Sequence, residues 1–434
     1  MTAGELESER KLNSQLVSLN SQVMKERLRD SPDQNRLADL SVGLSKARSN
    51  YDTFRSNLYV THPALEAQRG EFKPISLAEC GSLINDRGTA LLEFLVSDER
   101  VDLFVLTRKG TARSVPDLKI YTISIKKDAL REIVEKFREH LAKRDLDYSA
   151  EAAKLYDLLL KPAASELAGK SNLVIVPDGV LWELPFQVMQ PSRAHFLVQD
   201  YSISYAPSLT ALREMSKPRS KTVSTAIKLS LLAFGNSVVR KERSAQIKEV
   251  FMDADLQPLP EAEDQVKTIG RIYGAGRSEV YVGEEATEDR LKAKAGSCRI
   301  LHIATHGIID NTNPMYSQIV LSQAQGSSDD GLLEAWEIAN MDINADLVVL
   351  SACDTAGGRV EEGEGIIGLS WAFFIAGCPS TVVSQWSVEA GSTGELMVEF
   401  HRNLLAGLGK AEALRQAELK LLKSADHSHP FYWA

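Results

Sequence analysis

Between Leu229 and Leu422 short apolar runs alternate with longer amphipathic stretches, and this alternation restricts the fold more than any other feature of the sequence. Strands are predicted over Leu229 to Phe234, Glu279 to Val282, Arg299 to Ala304, Leu347 to Ala352 and Thr381 to Gln385. Helices are predicted over Pro260 to Ile272, Thr287 to Ala293, Gly365 to Ala376, Thr393 to Ala406 and Lys410 to Leu422. Runs such as Leu347-Val348-Val349-Leu350 are apolar on both faces, as strands buried between two helix layers must be. The expectation is an open, mainly parallel α/β sheet whose functional edge lies beyond the C-terminal ends of its strands.

Upstream the period changes. Thr89 to Val96 and Val101 to Thr107 read as two strands, followed by a Lys109-Gly110 turn and a third strand around Lys119 to Ile125, an antiparallel meander. Asp128 to His140 and Ala150 to Leu167 read as helices, and Asn172 to Val176 as a short strand ending in the turn Pro177-Asp178-Gly179. Ser216 to Thr225, rich in Ser, Lys and Arg with Pro218, reads as an exposed linker and a domain boundary. The first 58 or so residues space Leu6, Leu12, Leu16, Leu19 and Val23, then Leu37, Leu40 and Leu44, among polar side chains, which suits amphipathic helices until Thr61-His62-Pro63 interrupts them. Three regions result: helices over 1–70, a smaller α/β subdomain over 71–215 and the larger sheet over 216–434. So few helices bury little surface, so they are expected to pack on their own domain, on a partner or on further helical hairpins. No complete internal repeat is present.

A length of 434 residues exceeds what one core usually fills, in keeping with several domains. A net charge of −9 gives the whole molecule no electrostatic reason to bind nucleic acid or anionic lipid. No run of 18 apolar residues is found, and the polar, acidic start is unlike a secretory signal, so a cytoplasmic protein with no membrane contact is expected. Cys80, Cys298, Cys353 and Cys378 are too few and too scattered for a disulfide scaffold or a paired redox or zinc motif. Cys298 and Cys378 read as structural. A reducing compartment would keep a nucleophilic thiol usable.

Two strand ends carry the chemistry. One reads Leu301-His302-Ile303-Ala304-Thr305-His306-Gly307, the other Val348-Val349-Leu350-Ser351-Ala352-Cys353-Asp354. If the strands are neighbours, His306 and Cys353 open onto one crevice. There an imidazole lowers the thiol pKa and returns the proton to a leaving amine. Gly307, without a Cβ, admits substrate backbone, and its N–H and that of Cys353 suit an oxyanion. Against this, a cysteine after an apolar strand is more often a small buried hydrophobe, and a histidine before glycine is equally a loop residue. His302 and His306 also invite a metal reading. On a strand, however, positions four apart are separated by about 13 Å, awkward for one ion, and neither a metal nor a cofactor is expected. Asp310, Asp329, Asp330, Asp354, Glu361, Glu362 and Glu364 are candidates for an acidic pocket, of which Asp354, Glu361 and Glu362 lie nearest the cysteine in sequence; a solvated loop is the default reading of such charges. Trp386 is a candidate apolar wall of the same cleft or an ordinary core residue.

With these motifs in hand, the sequence resembles the bacterial CHAT domains, caspase-like modules of the clan CD cysteine peptidases, often found after tetratricopeptide repeats and related to separase. The resemblance runs from about residue 75 to 434. It rests on the strand pair Thr89 to Thr107, on Leu173 to Phe186, Tyr205 to Leu209, and Leu259-Pro260 with Glu261 and Glu263. It continues through His302 to Gly307, Ser351 to Thr355, Gly365 to Ser370 and Gly377 to Trp386. The Ser-Ala-Cys run differs from the Gln-Ala-Cys of true caspases.

The resemblance implies His306 as catalytic histidine, Cys353 as nucleophile, and Gly307 with the Cys353 amide as oxyanion hole. It implies a cysteine endopeptidase acting on a protein or peptide without a metal, held inactive until a regulatory partner engages the N-terminal helices. Residues 71–215 would be a degenerate, pseudo-caspase subdomain. The alternative is a catalytically silent caspase-fold scaffold or signalling module that binds partners. Relatives usually continue into a final apolar strand where this sequence reads His429-Pro430-Phe431-Tyr432-Trp433-Ala434, which raises the expectation of a missing sheet edge.

Overall fold

The computed structural model describes residues 33–61, 74–84, 86–108, 115–217, 229–235, 259–309, 314–327, 329–351, 364–386 and 389–434, with scattered positions among the first 32. It divides into one unit of residues 1–73 and 239–256 and a second of residues 74–238 and 257–434. Among the described residues no helix is long and apolar enough to cross a membrane.

The first unit contains helix α1 (Gln34–Thr61); the His62-Pro63 pair expected to interrupt it lies outside the described residues. Val23, Leu44 and Ala47 are buried here, and Leu19 approaches Gly43. Glu26, nearly buried, accepts an ion pair from Arg36 at 3.1 Å.

The second unit begins with the expected meander: β1 (Thr89–Val96), β2 (Val101–Thr107) and β3 (Asp117–Ile123) pair antiparallel. The Lys109-Gly110 turn lies outside the described residues. β4 (Asn172–Val176) and β5 (Ser202–Tyr205) add parallel strands, giving the order β3-β2-β1-β4-β5. The period of two sorts the faces of β1: Ala90, Leu92 and Phe94 enter one apolar cluster and Leu91 another. Helix α2 (Lys127–Lys143) covers the first face with Leu130, Val134, Phe137 and Leu141, one stripe at helical spacing. Residues 150–167, expected as one helix, are broken: α3 (Tyr148–Leu159) gives way to a 3-10 turn over Lys161–Ala163 and a last helical turn over Ala164–Leu167. Pro162, which lacks an N–H, accounts for the break. The Pro177-Asp178-Gly179 turn is anchored because the Asp178 carboxylate accepts the Val96 amide at 2.8 Å.

The C-terminal half holds five parallel strands, β6 (Leu229–Gly235), β7 (Ser278–Val282), β8 (Cys298–Ala304), β12 (Leu347–Leu350) and β13 (Thr381–Val383), in the order β13-β12-β8-β6-β7. Helices α4 (Pro260–Tyr273), α5 (Glu288–Lys294), α6 (Glu364–Ile375), α7 (Ala390–Leu405) and α8 (Lys410–Leu422) flank it. Leu232, Phe234, Leu301, Ile303 and Val348 pack with Leu291 of α5 and Leu369 and Phe373 of α6. Leu231, Ala233, Leu347 and Val349 pack with Val266 and Ile269 of α4, Phe400 of α7 and Ala413 and Ala417 of α8. Both faces of these strands are therefore covered, as their uninterrupted apolar sequence requires. The architecture is mixed α/β, with central sheets flanked by helices. Helix α7 starts three residues before Thr393 because the Glu389 carboxylate accepts the Ser392 amide at 2.7 Å and caps it there.

A small antiparallel sheet escaped the sequence reading: β9 (Gly307–Ile308), β10 (Gln318–Val320) and β11 (Leu332–Glu334), in the order β11-β10-β9. Strands of two or three residues carry no periodicity to read.

Candidate functional site

β8 and β12 are central neighbours in register, with Leu301 opposite Val348, His302 opposite Val349 and Ile303 opposite Leu350. The Ser351 amide continues the ladder by donating to the Ile303 carbonyl at 2.8 Å. The two strands whose ends carry the histidine and cysteine motifs thus finish side by side at one edge of the sheet. Ala352 to Gly363 lie outside the described residues, and with them Cys353, Asp354, Glu361 and Glu362; so does Asp310.

The backbone leaving β8 turns directly into the small sheet. Thr305, fully buried, donates its hydroxyl to the Val320 carbonyl at 2.7 Å, and the His306 carbonyl accepts the Val320 amide at 2.9 Å. Gly307 stands opposite Ile319 and Ile308 opposite Gln318. His306 is held on both sides of its ring-bearing residue and is only 3% exposed. On the face that β10 and β11 share with Ile308, Gln318 donates its amide to the Glu334 carboxylate at 3.1 Å, and the Trp336 indole donates to the same carboxylate. Burial, reinforced by Glu337 and Asp330, pushes the Glu334 pKa up to about 7, although the Trp336 and Gln318 hydrogen bonds act against it. Sequence reasoning missed this acid, whose only signal is a charged residue inside Leu332-Leu333-Glu334-Ala335.

Trp386 stands three residues beyond β13, packs partly buried against the core of the first sheet and donates its indole N–H to the Phe431 carbonyl at 3.4 Å. Asp329 pairs with Lys292 at 3.1 Å, and the Asp330 carboxylate accepts the Leu332 amide at 2.9 Å, so both serve local structure. His302 is fully buried with both ring nitrogens engaged within the protein, Nδ1 with His401 at 3.0 Å and Nε2 with Gln265 at 3.1 Å. Burial, with His401 beside it, holds its pKa well below the ordinary value. Neither nitrogen is available to an ion in this arrangement. Among the described residues, His140, Asp145 and Asp147 bring potential donor atoms within 4.8 Å of one another. Their contact is that of a helix end: Arg144 takes the left-handed conformation that closes α2, and the Asp145 carboxylate meets His140 at 2.9 Å.

Cys80, Cys298 and Cys378 are buried and outside any disulfide. Burial raises the Cys80 and Cys298 thiols, the latter to about 12, which leaves them inert at neutral pH.

A mainly parallel sheet between helix layers, with two central strands ending side by side at one edge, is an α/β module consistent with a caspase-like fold. Residues 149–434 match the family model described as the CHAT domain, and the chain belongs to that caspase-like, clan CD family. It is similar to tetratricopeptide repeat protein 28 of Mus musculus, at 26% identity over 367 residues, 75% of this chain and 14% of that protein. It is similar to tetratricopeptide repeat protein 28 of Homo sapiens at 25% identity over 325 residues, 64% of this chain and 12% of that protein. The chain thus spans a small part of the length of either relative.

Proposed function

We propose that this chain is a caspase-fold signalling module that recognises a protein or peptide segment at the mouth beyond β8 and β12 and is catalytically silent in the state described. The observation that carries this reading is the burial of His306, 3% exposed. A general acid or base has to come within hydrogen-bond reach of the reacting group, so an imidazole closed in this state would act only after the site opens. Residues 1–70 would form the end of a repeat or scaffold region that receives a regulatory partner. The relatives, both named for tetratricopeptide repeats, support that placement beside a repeat region. Residues 71–215 would be the pseudo-caspase subdomain and 216–434 the caspase-like one. Three buried thiols outside any disulfide fit a reducing compartment, the cytoplasm, and a bacterial source is the expectation that the motifs carry.

The register of β8 and β12 favours a second reading, in which the same mouth cleaves what it binds. Ser351, two residues before Cys353, is hydrogen-bonded to Ile303, three residues before His306. In that reading the Cys353 thiolate attacks the scissile carbonyl carbon while the Gly307 and Cys353 amides stabilise the oxyanion. His306 then gives its proton to the leaving amine, and water hydrolyses the thioester. Asp354, Glu361, Glu362 and Trp386 would line the pocket for the substrate side chain.

One experiment separates the two readings. The full chain is treated with an electrophilic peptide probe and with a peptide library, alongside Cys353→Ala and His306→Ala. Cleavage and labelling that require both residues establish the endopeptidase. Their absence, even with the native activator present, leaves the silent module.

A further inference from the structure

A string of polar side chains crosses the apolar core behind the β8 and β12 ends. It begins at Tyr273 at the end of α4, whose hydroxyl meets His401 Nδ1 at 3.0 Å. His401 Nε2, from α7, meets His302 Nδ1 at 3.0 Å, and His302 Nε2 meets the Gln265 amide nitrogen at 3.1 Å. Gln265, one turn into α4, donates the same nitrogen to Ser351 Oγ at 3.0 Å, and the Ser351 hydroxyl returns to Gln265 Oε1 at 3.3 Å. Tyr273, His401, His302 and Gln265 are all buried, among Val266, Ile269, Val349 and Phe400.

Two neutral imidazoles in series have one donor and one acceptor each, so the string has a single polarity at a time. With the Gln265 amide donating to Nε2, His302 carries its proton on Nδ1 and donates to His401 Nε2. His401 then carries its own proton on Nδ1 and donates to Tyr273. Burial keeps both rings neutral, holding the His401 pKa down to about 3, and keeps the Tyr273 phenol protonated at about 12. Every link between the rings is thereby satisfied, and a satisfied buried network fixes geometry rather than adding stability over an apolar core. What distinguishes this network is its outlet. It ends on Ser351, the residue with which the chain leaves β12 toward Ala352 and Cys353.

We propose that Gln265, oriented through His302, His401 and Tyr273, is a positioning residue that grips the Ser351 hydroxyl and so holds the residue two positions before Cys353, on which the reactivity of that thiol depends. This rests on the reading in which Cys353 is the nucleophile and adds to it the residues that aim it. The need is physical: a displacement of about 1 Å in a reacting group costs about 100-fold in rate. The backbone tether of Ser351 to Ile303 fixes one end of the residue, and the hydroxyl fixes its rotation about that tether.

The test uses the full chain and iodoacetamide, a small reagent that reports the Cys353 thiol without requiring peptide recognition. Alkylation at Cys353 is mapped by mass spectrometry across pH, together with the unfolding midpoint of each protein. Ser351→Ala and Gln265→Met are expected to change the Cys353 alkylation rate about tenfold and move its pH midpoint, while remaining folded. Ser351→Thr, which keeps the hydroxyl, recovers most of the wild-type rate. Because both changes break one contact, the double variant is no further from wild type than the more affected single variant. A merely structural network would lower the unfolding midpoints and leave alkylation of the folded proteins alike. Equal rates and equal pH midpoints in all proteins, including no labelling in any, overturn the proposal. A peptide probe applied in parallel separates the two claims: if it never labels wild type while the iodoacetamide differences hold, the endopeptidase reading falls and the positioning role stands.

Discussion

Glu418, on α8, is a carboxyl group with no room for its charge. Burial pushes its pKa from 4.5 up to about 8, and the Arg415 guanidinium only partly opposes that shift. The folded protein therefore holds a proton that the unfolded chain releases between pH 4.5 and about 8. Stability from this site is present below that window and is lost as pH rises through it. Glu418→Gln, which keeps the shape without the acid, is expected to raise the unfolding midpoint relative to wild type near the top of the window and to give no gain at its bottom. Equal midpoint differences at the two ends would contradict this. His306 and Glu334 show how differently single residues announce themselves. The histidine was legible as the polar residue after an apolar strand. Glu334 was not, because it is buried against β10, sixteen residues away at Gln318, which the residues beside it in sequence do not reveal.

At the scale of elements, the end of β6 and α4 approach each other closely in the large sheet. A Cβ built on Gly235 would stand 2.6 Å from Val266 Cγ2 and 3.0 Å from the Ala262 carbonyl oxygen. Gly235→Ala is therefore expected to push α4 outward and cost about 1–3 kcal/mol, measured by urea unfolding. Since α4 carries Gln265, the same substitution should also loosen the contact to Ser351. In the first sheet, Phe137 fills the centre of the α2 stripe, and Phe137→Ala is expected to cost about 3–5 kcal/mol. Long elements with a clear period, such as α2, α8 and β1, were legible within a few residues. The break at Pro162 was legible in principle, since proline in a helix interior removes a donor. The three strands of the small sheet were not, because each gains its strand character from a partner across the ladder.

The whole second unit is tied together by the end of the chain. Trp433 is buried in the core of the first sheet beside Phe196, with ring centroids 5.3 Å apart, and its indole donates to the Ser428 carbonyl at 3.0 Å. Arg144 lies 4.4 Å over the Phe431 ring and donates to the Tyr432 hydroxyl at 2.9 Å. Arg415 of α8 donates to the Val198 carbonyl at 2.7 Å, and Gln385, just past β13, to the Trp182 carbonyl at 3.2 Å. These contacts join elements of the parallel sheet to the core of the meander. Trp433→Ala is expected to destabilise the unit by about 3–5 kcal/mol, and in one cooperative transition that includes both sheets. Two separate transitions, with the loss confined to one, would show that the sheets unfold independently.

The sequence by itself determined most of the longer strands and helices, that the large sheet is covered on both faces, and that His306 and Cys353 follow apolar strands. Those properties are local: a period of two or 3.6 and the chemistry at its end are written in consecutive residues. Only the tertiary structure decided that β8 and β12 are neighbours in register, that Gln318 meets Glu334, and that His302 meets His401, 99 residues away. Such pairings depend on which buried faces close over one another across long stretches of chain, and a local pattern specifies that a face is buried without specifying what covers it.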